Sequence, residues 1–251
     1  MSRGTEPEAT HGGLFYDDET VFSRYSAHRN WAANPNIVME EPALLRMVGD
    51  VTGARVIDLG CGDAALGRTL LETGCLSYTG IDGSHRMIEE ARRTLEGTDG
   101  QVELGTIERF RAPPDSADLV LSRLAFHYVE HIEPVLRACH DCLVREGRLI
   151  FSVVHPVITS HDATVPGQKR TSWAVDDYFV RGARVRTWMG GRTIWFHRTV
   201  EDYVCALQHA GFRFTELSEC EPTDALRSDD PDEYHRRSRV PLFLLLAGEK
   251  P

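Results

Sequence analysis

Residues 54–67, ARVIDLGCGDAALG, change character twice within a short stretch. Val56 and Ile57 are β-branched and apolar, which suits a strand buried in a parallel sheet. Asp58 ends that strand. Gly60 and Gly62 then bracket a tight turn, where glycine tolerates positive φ and leaves the backbone open to a ligand. From Ala64 to Leu71 the apolar residues fall at helical spacing. The order strand, glycine turn, helix sets free N–H groups and a positive dipole end beside the turn. Several nucleotide ligands suit such a unit. A dinucleotide site asks for G-x-G-x-x-G, but from Gly60 the chain reads G-C-G-D-A-A, with Ala65 in the third glycine's place. A P-loop asks for a closing Gly-Lys-Ser/Thr, which is missing. Asp58, two residues before Gly60, would repel a pyrophosphate and attract an ammonium group.

A second strand, Ser77–Ile81, ends at Asp82, 22 residues beyond Gly60. An acid at that separation and at a strand end is the expected partner of ribose hydroxyls, because a carboxylate accepts two hydrogen bonds from a cis-diol. The D-x-G-x-G of Asp58, Gly60 and Gly62 resembles motif I of the class I S-adenosylmethionine-dependent methyltransferases. The phrase GIDGSHRMIEEAR resembles their motif II, G-x-D-x-S-x-x-M, with Asp82, Ser84 and Met87 matching. The resemblance implies an α/β fold: a seven-stranded, mostly parallel sheet with helices on both faces. It implies S-adenosyl-L-methionine as cofactor and S-adenosyl-L-homocysteine as product. In that reading Asp58 meets the amino end of the cofactor, Asp82 meets the ribose, Met87 falls near the adenine, and Gly83 belongs to the same cofactor site. No phosphate is present in this cofactor to conflict with Asp58.

Composition bounds the partners. Hydrophobic residues at 41% and charged residues at 26% are ordinary for a globular chain of 251 residues. The formal net charge of −10 opposes binding to phosphate backbones, so nucleic acid is not an expected substrate. The six scattered cysteines suit a reducing cytoplasm. The apolar run Leu242–Ala247 is far too short to span a bilayer, so no membrane partner is expected. Monomer and homodimer both stay open.

The polar stretch 1–13 is expected to be disordered. Residues 14–50 read as an N-terminal helical lid, with helices over 15–29 and 37–48. By the resemblance such helices cover the cofactor, which makes Tyr25 and Arg29 candidates for its carboxylate and Tyr16 a candidate for substrate. Residues 51–156 form the cofactor half. There Gln101–Leu104 is a third strand, followed by Thr106 where relatives place an Asp, and by Ile107 as an adenine surface. The fourth strand, Ala117–Ser122, turns its C-terminal end to the ligand crevice, so Ser122 and Leu124 join the candidates. The next residues lack N/D-P-P-Y/F, against a base-flipping DNA methyltransferase. The string S-x-L-A-x-H-Y-V-E instead resembles small-molecule and quinone-type methyltransferases, with His127 as a substrate contact. Residues 133–144 read as a helix, on which Cys139 and Cys142 share a face without zinc-type partners, and no metal is expected.

Residues 157–198 depart from alternating strand and helix. Aromatic residues gather there, and 179–185 with 193–197 suit a hairpin around Trp188-Met189-Gly190-Gly191, since Gly-Gly is a hairpin signal. This is the expected substrate cover, with Trp173, Tyr178 and Trp195 as wall candidates. The string H-P-V…W…D-D-Y-F…H-R-T-x-E-D-Y resembles a group of bacterial methyltransferases. Residues 199–251 complete the sheet, with a helix capped by Thr199, a polar loop over 221–239 and a last strand over 240–247.

Methyl transfer needs alignment and dryness, and a base only where the acceptor holds its proton. Three histidines are candidate bases: His155 first, then His127 and His197. The expected activity is methylation of N or O on a small aromatic or heterocyclic, natural-product-like molecule. Two other readings keep the same residues: a cofactor-bound enzyme of this fold catalysing cyclisation, and a non-catalytic partner subunit.

Overall fold

The computed structural model describes residues 9–29, 31, 34–161 and 172–251. In chain order the strands are β1 (Arg55–Leu59), β2 (Ser77–Asp82), β3 (Gln101–Leu104), β4 (Ala117–Arg123), β5 (Leu143–Val154), β6 (Gly182–Trp188), β7 (Gly191–His197), β8 (Arg213–Ser218) and β9 (Phe243–Glu249). Seven of them make one sheet in the order β3-β2-β1-β4-β5-β9-β8. Only β9 runs antiparallel to its neighbours, β5 and β8. This is the class I methyltransferase sheet that the two glycine-strand motifs imply. Strand order reverses beside β1, and the crevice outside the carboxyl ends of β1 and β4 is where such sheets hold ligands. Register puts Asp58 opposite Gly80 and Leu59 opposite Ile81, so Asp58 and Asp82 end adjacent strands.

Nine helices flank these strands among the described residues: α1 (Glu19–Arg29), α2 (Glu41–Val48), α3 (Ala65–Glu72), α4 (His85–Thr94), α5 (Ile132–Cys142), α6 (Pro156–Thr159), α7 (Val200–His209), α8 (Asp224–Asp229) and α9 (Pro231–Arg237). Burial alternates with the strand period of two. Ile57, Leu59, Leu244 and Leu246 join Leu136 and Tyr203 in the core on one face. Val56, Leu245 and Ala247 join Leu44 and Leu70 in the core on the other. Gly67 on α3 lies flat on the Tyr78 ring, where an added Cβ would come within 2.2 Å. That close approach seats α3, and with it the glycine turn, against β2.

Four expectations need correction. The tail to residue 13 is partly ordered: the Thr10 N–H donates to the Arg192 carbonyl at 3.0 Å, and a 3-10 helix starts at Gly12. Residues 1–8 lie outside the described residues, as do 162–171 of the substrate cover. The hairpin pairs 182–188 with 191–197 instead of 179–185 with 193–197, and its two-residue turn is Met189-Gly190, inside the expected Trp188-Met189-Gly190-Gly191 stretch, both at positive φ (48° and 83°). The stretch 221–239 is not a loop but carries α8 and α9, because Thr223 and Asp230 cap their first turns and Pro231 sits at the start of α9. The helix over 133–144 stops at Cys142, where Leu143 turns into β5. No helix among the described residues is long and apolar enough to cross a membrane.

Candidate active site

A cavity of about 990 Å³ opens where β1, β2 and β4 end, and the N-terminal segment covers it. Its floor is the glycine turn. Gly60 has φ +79°, and a Cβ there would meet the Ala125 methyl at 2.4 Å. Gly62 has φ +56°, and nothing lies within 4 Å of where its Cβ would be. One glycine therefore admits the chain after β4, and the other leaves room above the backbone.

Two buried acids flank this turn. Asp58 Oδ2 accepts from the Tyr78 hydroxyl at 2.9 Å, while Oδ1 has no partner. Burial pushes its carboxyl up to about 7, against the Tyr78 hydrogen bond and the Arg123 charge, with Asp82 and Glu40 adding repulsion. Asp82 is used differently. Oδ2 accepts the Gly62 N–H and Oδ1 the Ser84 N–H, each at 2.9 Å. Burial raises its pKa too, while these two N–H groups oppose the rise. Each oxygen keeps a lone pair for a further donor. Ser84 caps α4 through the Met87 N–H, which sets Met87 on the cavity wall beside Gly83 and Ile107.

The cover is latched to this floor. Gly13 sits so close to Gly83 that a Cβ would come within 2.4 Å of backbone. Asp17 accepts from the Ser84 hydroxyl at 2.7 Å and from the Arg86 N–H at 3.2 Å. Arg29 bonds Asp63 of the glycine turn at 2.6 Å and lines the cavity with Tyr25, whose pKa burial raises. Deeper in, the guanidinium of Arg123 bonds Glu40 at 2.6 Å and Glu41 at 2.9 Å. Glu40 is wholly buried and also accepts from the Ser152 hydroxyl at 2.6 Å.

A second lobe is aromatic. Tyr16, Tyr25, His28, His127, Tyr128, Trp188 and Trp195 all line the cavity. His127 packs on Tyr128 with ring centres 4.5 Å apart and meets Trp195 edge-on at 5.1 Å. Burial, helped by the Arg198 charge, lowers the His127 pKa to about 3, so its ring is neutral.

Of the residues picked from sequence, Tyr16, Tyr25, Arg29, Asp58, Gly60, Gly62, Asp82, Gly83, Met87, Ile107, Leu124, His127 and Trp195 line this one cavity. Five others do not. Ser122 is buried under β1 and donates to the Leu59 carbonyl at 2.8 Å. His155 accepts the Val157 N–H at Nδ1, so Nε2–H is the donor to Glu219 at 3.0 Å. His197 donates Nε2–H to the Tyr178 carbonyl at 2.9 Å and meets the Thr159 hydroxyl through Nδ1 at 2.7 Å. Both rings are tied down at both nitrogens and lie outside the cavity lining. Tyr178 supports His197 outside the cavity, and Trp173 does not reach it. Sequence reasoning missed Arg123, Tyr128 and Trp188. Tyr128 stood within the quoted S-x-L-A-x-H-Y string, and Trp188 at the hairpin tip, but their inward aim depends on distant packing. Cys139 and Cys142 are fully buried on α5, and no metal-holding group of three ligands occurs among the described residues.

Residues 57–149 match the family model described as a methyltransferase domain. An S-adenosylmethionine dependent methyltransferase from Mesorhizobium loti superposes with a TM-score of 0.76 at 33% identity, covering 84% of this chain and 97% of that one. A Listeria monocytogenes structure assigned to the same class superposes with a TM-score of 0.77 at 32% identity, covering 84% and 96%. An uncharacterized protein of Haemophilus influenzae is 29% identical over 249 residues, 94% of this chain and 96% of that protein. The chain belongs to the S-adenosylmethionine-dependent methyltransferases, and S-adenosylmethionine is its cofactor. The cavity suits that molecule: an unpartnered buried carboxylate oxygen matches an ammonium, and an acid with spare lone pairs matches a diol.

Proposed function

We propose that this enzyme transfers a methyl group to N or O of a small aromatic or heterocyclic molecule bound in the aromatic lobe. The observation that carries this reading is the lobe itself, a set of uncharged ring walls adjoining the glycine turn in one cavity. Such walls favour flat, apolar ligands. In this reading Asp58 would pair with the cofactor's ammonium, Asp82 would accept from its ribose hydroxyls, and Arg29 with Tyr25 would meet its carboxylate. Gly83, Met87 and Ile107 would bound the adenine, and Leu124 would adjoin the acceptor. When bound, the cofactor supplies an electrophilic sulfonium methyl.

The protein's own part is to align the acceptor and keep water out, which can supply roughly 7–11 kcal/mol. The N-terminal cover, latched at Gly13 and Asp17, would do the second. None of the three candidate histidines serves well as a base: His155 and His197 are saturated, and a ring held at about 3, as in His127, takes a proton poorly. An acceptor that arrives nucleophilic, as a neutral amine or an ionisable oxygen, suits such a site. Small-molecule extracts incubated with the protein and isotopically labelled methyl donor test the reading. A labelled aromatic product together with S-adenosylhomocysteine supports it. Label appearing only in protein or nucleic acid, or turnover without S-adenosylhomocysteine, would overturn it.

A further inference from the structure

In the aromatic lobe a count of hydrogen-bond protons leaves one without a taker. The hydroxyl oxygens of Tyr16 and Tyr128 lie 3.0 Å apart. Each hydroxyl has one proton, and only one of the two can lie between the oxygens. The two flanking indoles cannot take the other. Trp188 adjoins the Tyr16 hydroxyl and Trp195 adjoins that of Tyr128, and an indole N–H only donates. Neither tyrosine hydroxyl donates to any other group among the described residues. Both residues line the cavity in which an acceptor molecule would lie.

The protonation state of this pair is settled by its surroundings. Burial raises the pKa of Tyr16 well above the usual tyrosine value and that of Tyr128 to about 12, so both hydroxyls keep their protons at neutral pH. Around the pair, His127 is neutral, the Arg198 guanidinium turns to the carbonyls of Val129 and Glu130, and the Arg186 guanidinium lies 5.5 Å over the Trp195 ring. A carboxylate would give up more hydration than a single neutral donor returns. A neutral carbonyl-type oxygen needs one neutral donor and finds it.

Resting on the reading of the lobe as the acceptor's site, we propose that the Tyr16–Tyr128 pair anchors a carbonyl-type oxygen on a planar methyl acceptor and so sets which ring compounds the enzyme takes. Because either oxygen can present the outward proton, loss of one hydroxyl leaves a donor and loss of both leaves none. The effect of the two substitutions on the choice between ligands with and without the oxygen is therefore strongly non-additive.

A matched pair of probes tests this. Acetophenone and α-methylstyrene have nearly the same shape and differ in a C=O against a C=CH2. Their affinities are measured by ligand-observed NMR titration of the full chain saturated with S-adenosylhomocysteine. The wild type is expected to favour the ketone by about three- to ten-fold, the reach of one net hydrogen bond. Tyr16→Phe and Tyr128→Phe each keep most of that preference, and the double variant loses it while its affinity for S-adenosylhomocysteine stays. A wild type that prefers the alkene, discriminates neither way or binds neither probe overturns the proposal, as does a double variant that still prefers the ketone. The wild-type comparison stands even if the double variant does not fold. If the protein fails to bind S-adenosylhomocysteine at all, the methyltransferase reading beneath the proposal falls with it.

Discussion

Burial holds the Asp58 carboxyl at about 7, so at neutral pH the ligand-free site contains both its acid and its anion. Two opposite pH effects follow from that one group. In the unfolded chain the carboxyl ionises in the ordinary carboxylate range, whereas the folded free protein keeps the proton to about 7. Between those values folding takes up a proton, so this contribution to stability is present at low pH and is lost as pH rises through 7. Binding an ammonium needs the anion, so affinity for S-adenosylhomocysteine rises over the same interval, by up to about ten-fold per pH unit below the pKa. Asp58→Asn removes the charge and flattens both slopes. Its loss of a charged hydrogen bond, about 1.5–3 kcal/mol, weakens binding roughly ten- to a hundred-fold. Calorimetric titration of wild type and variant on both sides of neutrality checks this. Equal slopes in the two proteins would remove Asp58 from the ammonium site.

At the scale of elements, the cover is held by a contact between two glycines. A Cβ on Gly13 would meet the backbone of Gly83 and Ser84 at 2.4–2.7 Å, where no flexible side chain can yield. Gly13→Ala should therefore lift the cover and weaken S-adenosylhomocysteine binding at least ten-fold. The melting temperature should change by under about 2 °C, since the two cores under the sheet are untouched. Limited proteolysis should cut the variant faster within residues 9–29. The same contact marks where the sequence stopped being legible. Asp58, Gly60, Gly62, Asp82 and Met87 could be read because strand, turn and cap are local patterns that fix where those side chains go. The histidines could not. His155 and His197 look like bases in one dimension, and only the fold brings Glu219, Thr159 and the Tyr178 carbonyl against them. Helix α9 was lost for a different reason: a short polar helix has no apolar stripe, and its signal lay solely in Asp230, Pro231 and the basic residues of its last turn.

For the molecule as a whole, the question is whether the cover unfolds alone or with the sheet. A buried network joins them. Arg123 at the end of β4 bonds Glu40 and Glu41 of the N-terminal segment and the Asn36 carbonyl, and Glu40 reaches Ser152 of β5. Arg123→Met would leave the wholly buried Glu40 carboxylate without its cation, at a cost of about 3–5 kcal/mol. Adding Glu40→Leu should return much of that in urea unfolding, because two apolar chains replace two buried charges. With the network intact, cover and sheet melt together, and a ligand bound between them stabilises both. S-adenosylhomocysteine at a hundred times its Kd contributes about 2.7 kcal/mol to a state that alone binds it. For a chain of this size each kcal/mol moves the midpoint by about 2–4 °C, so a single calorimetric transition should rise by about 5–10 °C. In Arg123→Met the same ligand should move a separate, lower transition belonging to the cover. Two transitions in the wild type, or a wild-type midpoint that saturating ligand leaves unmoved, would mean that the cavity does not join the two parts.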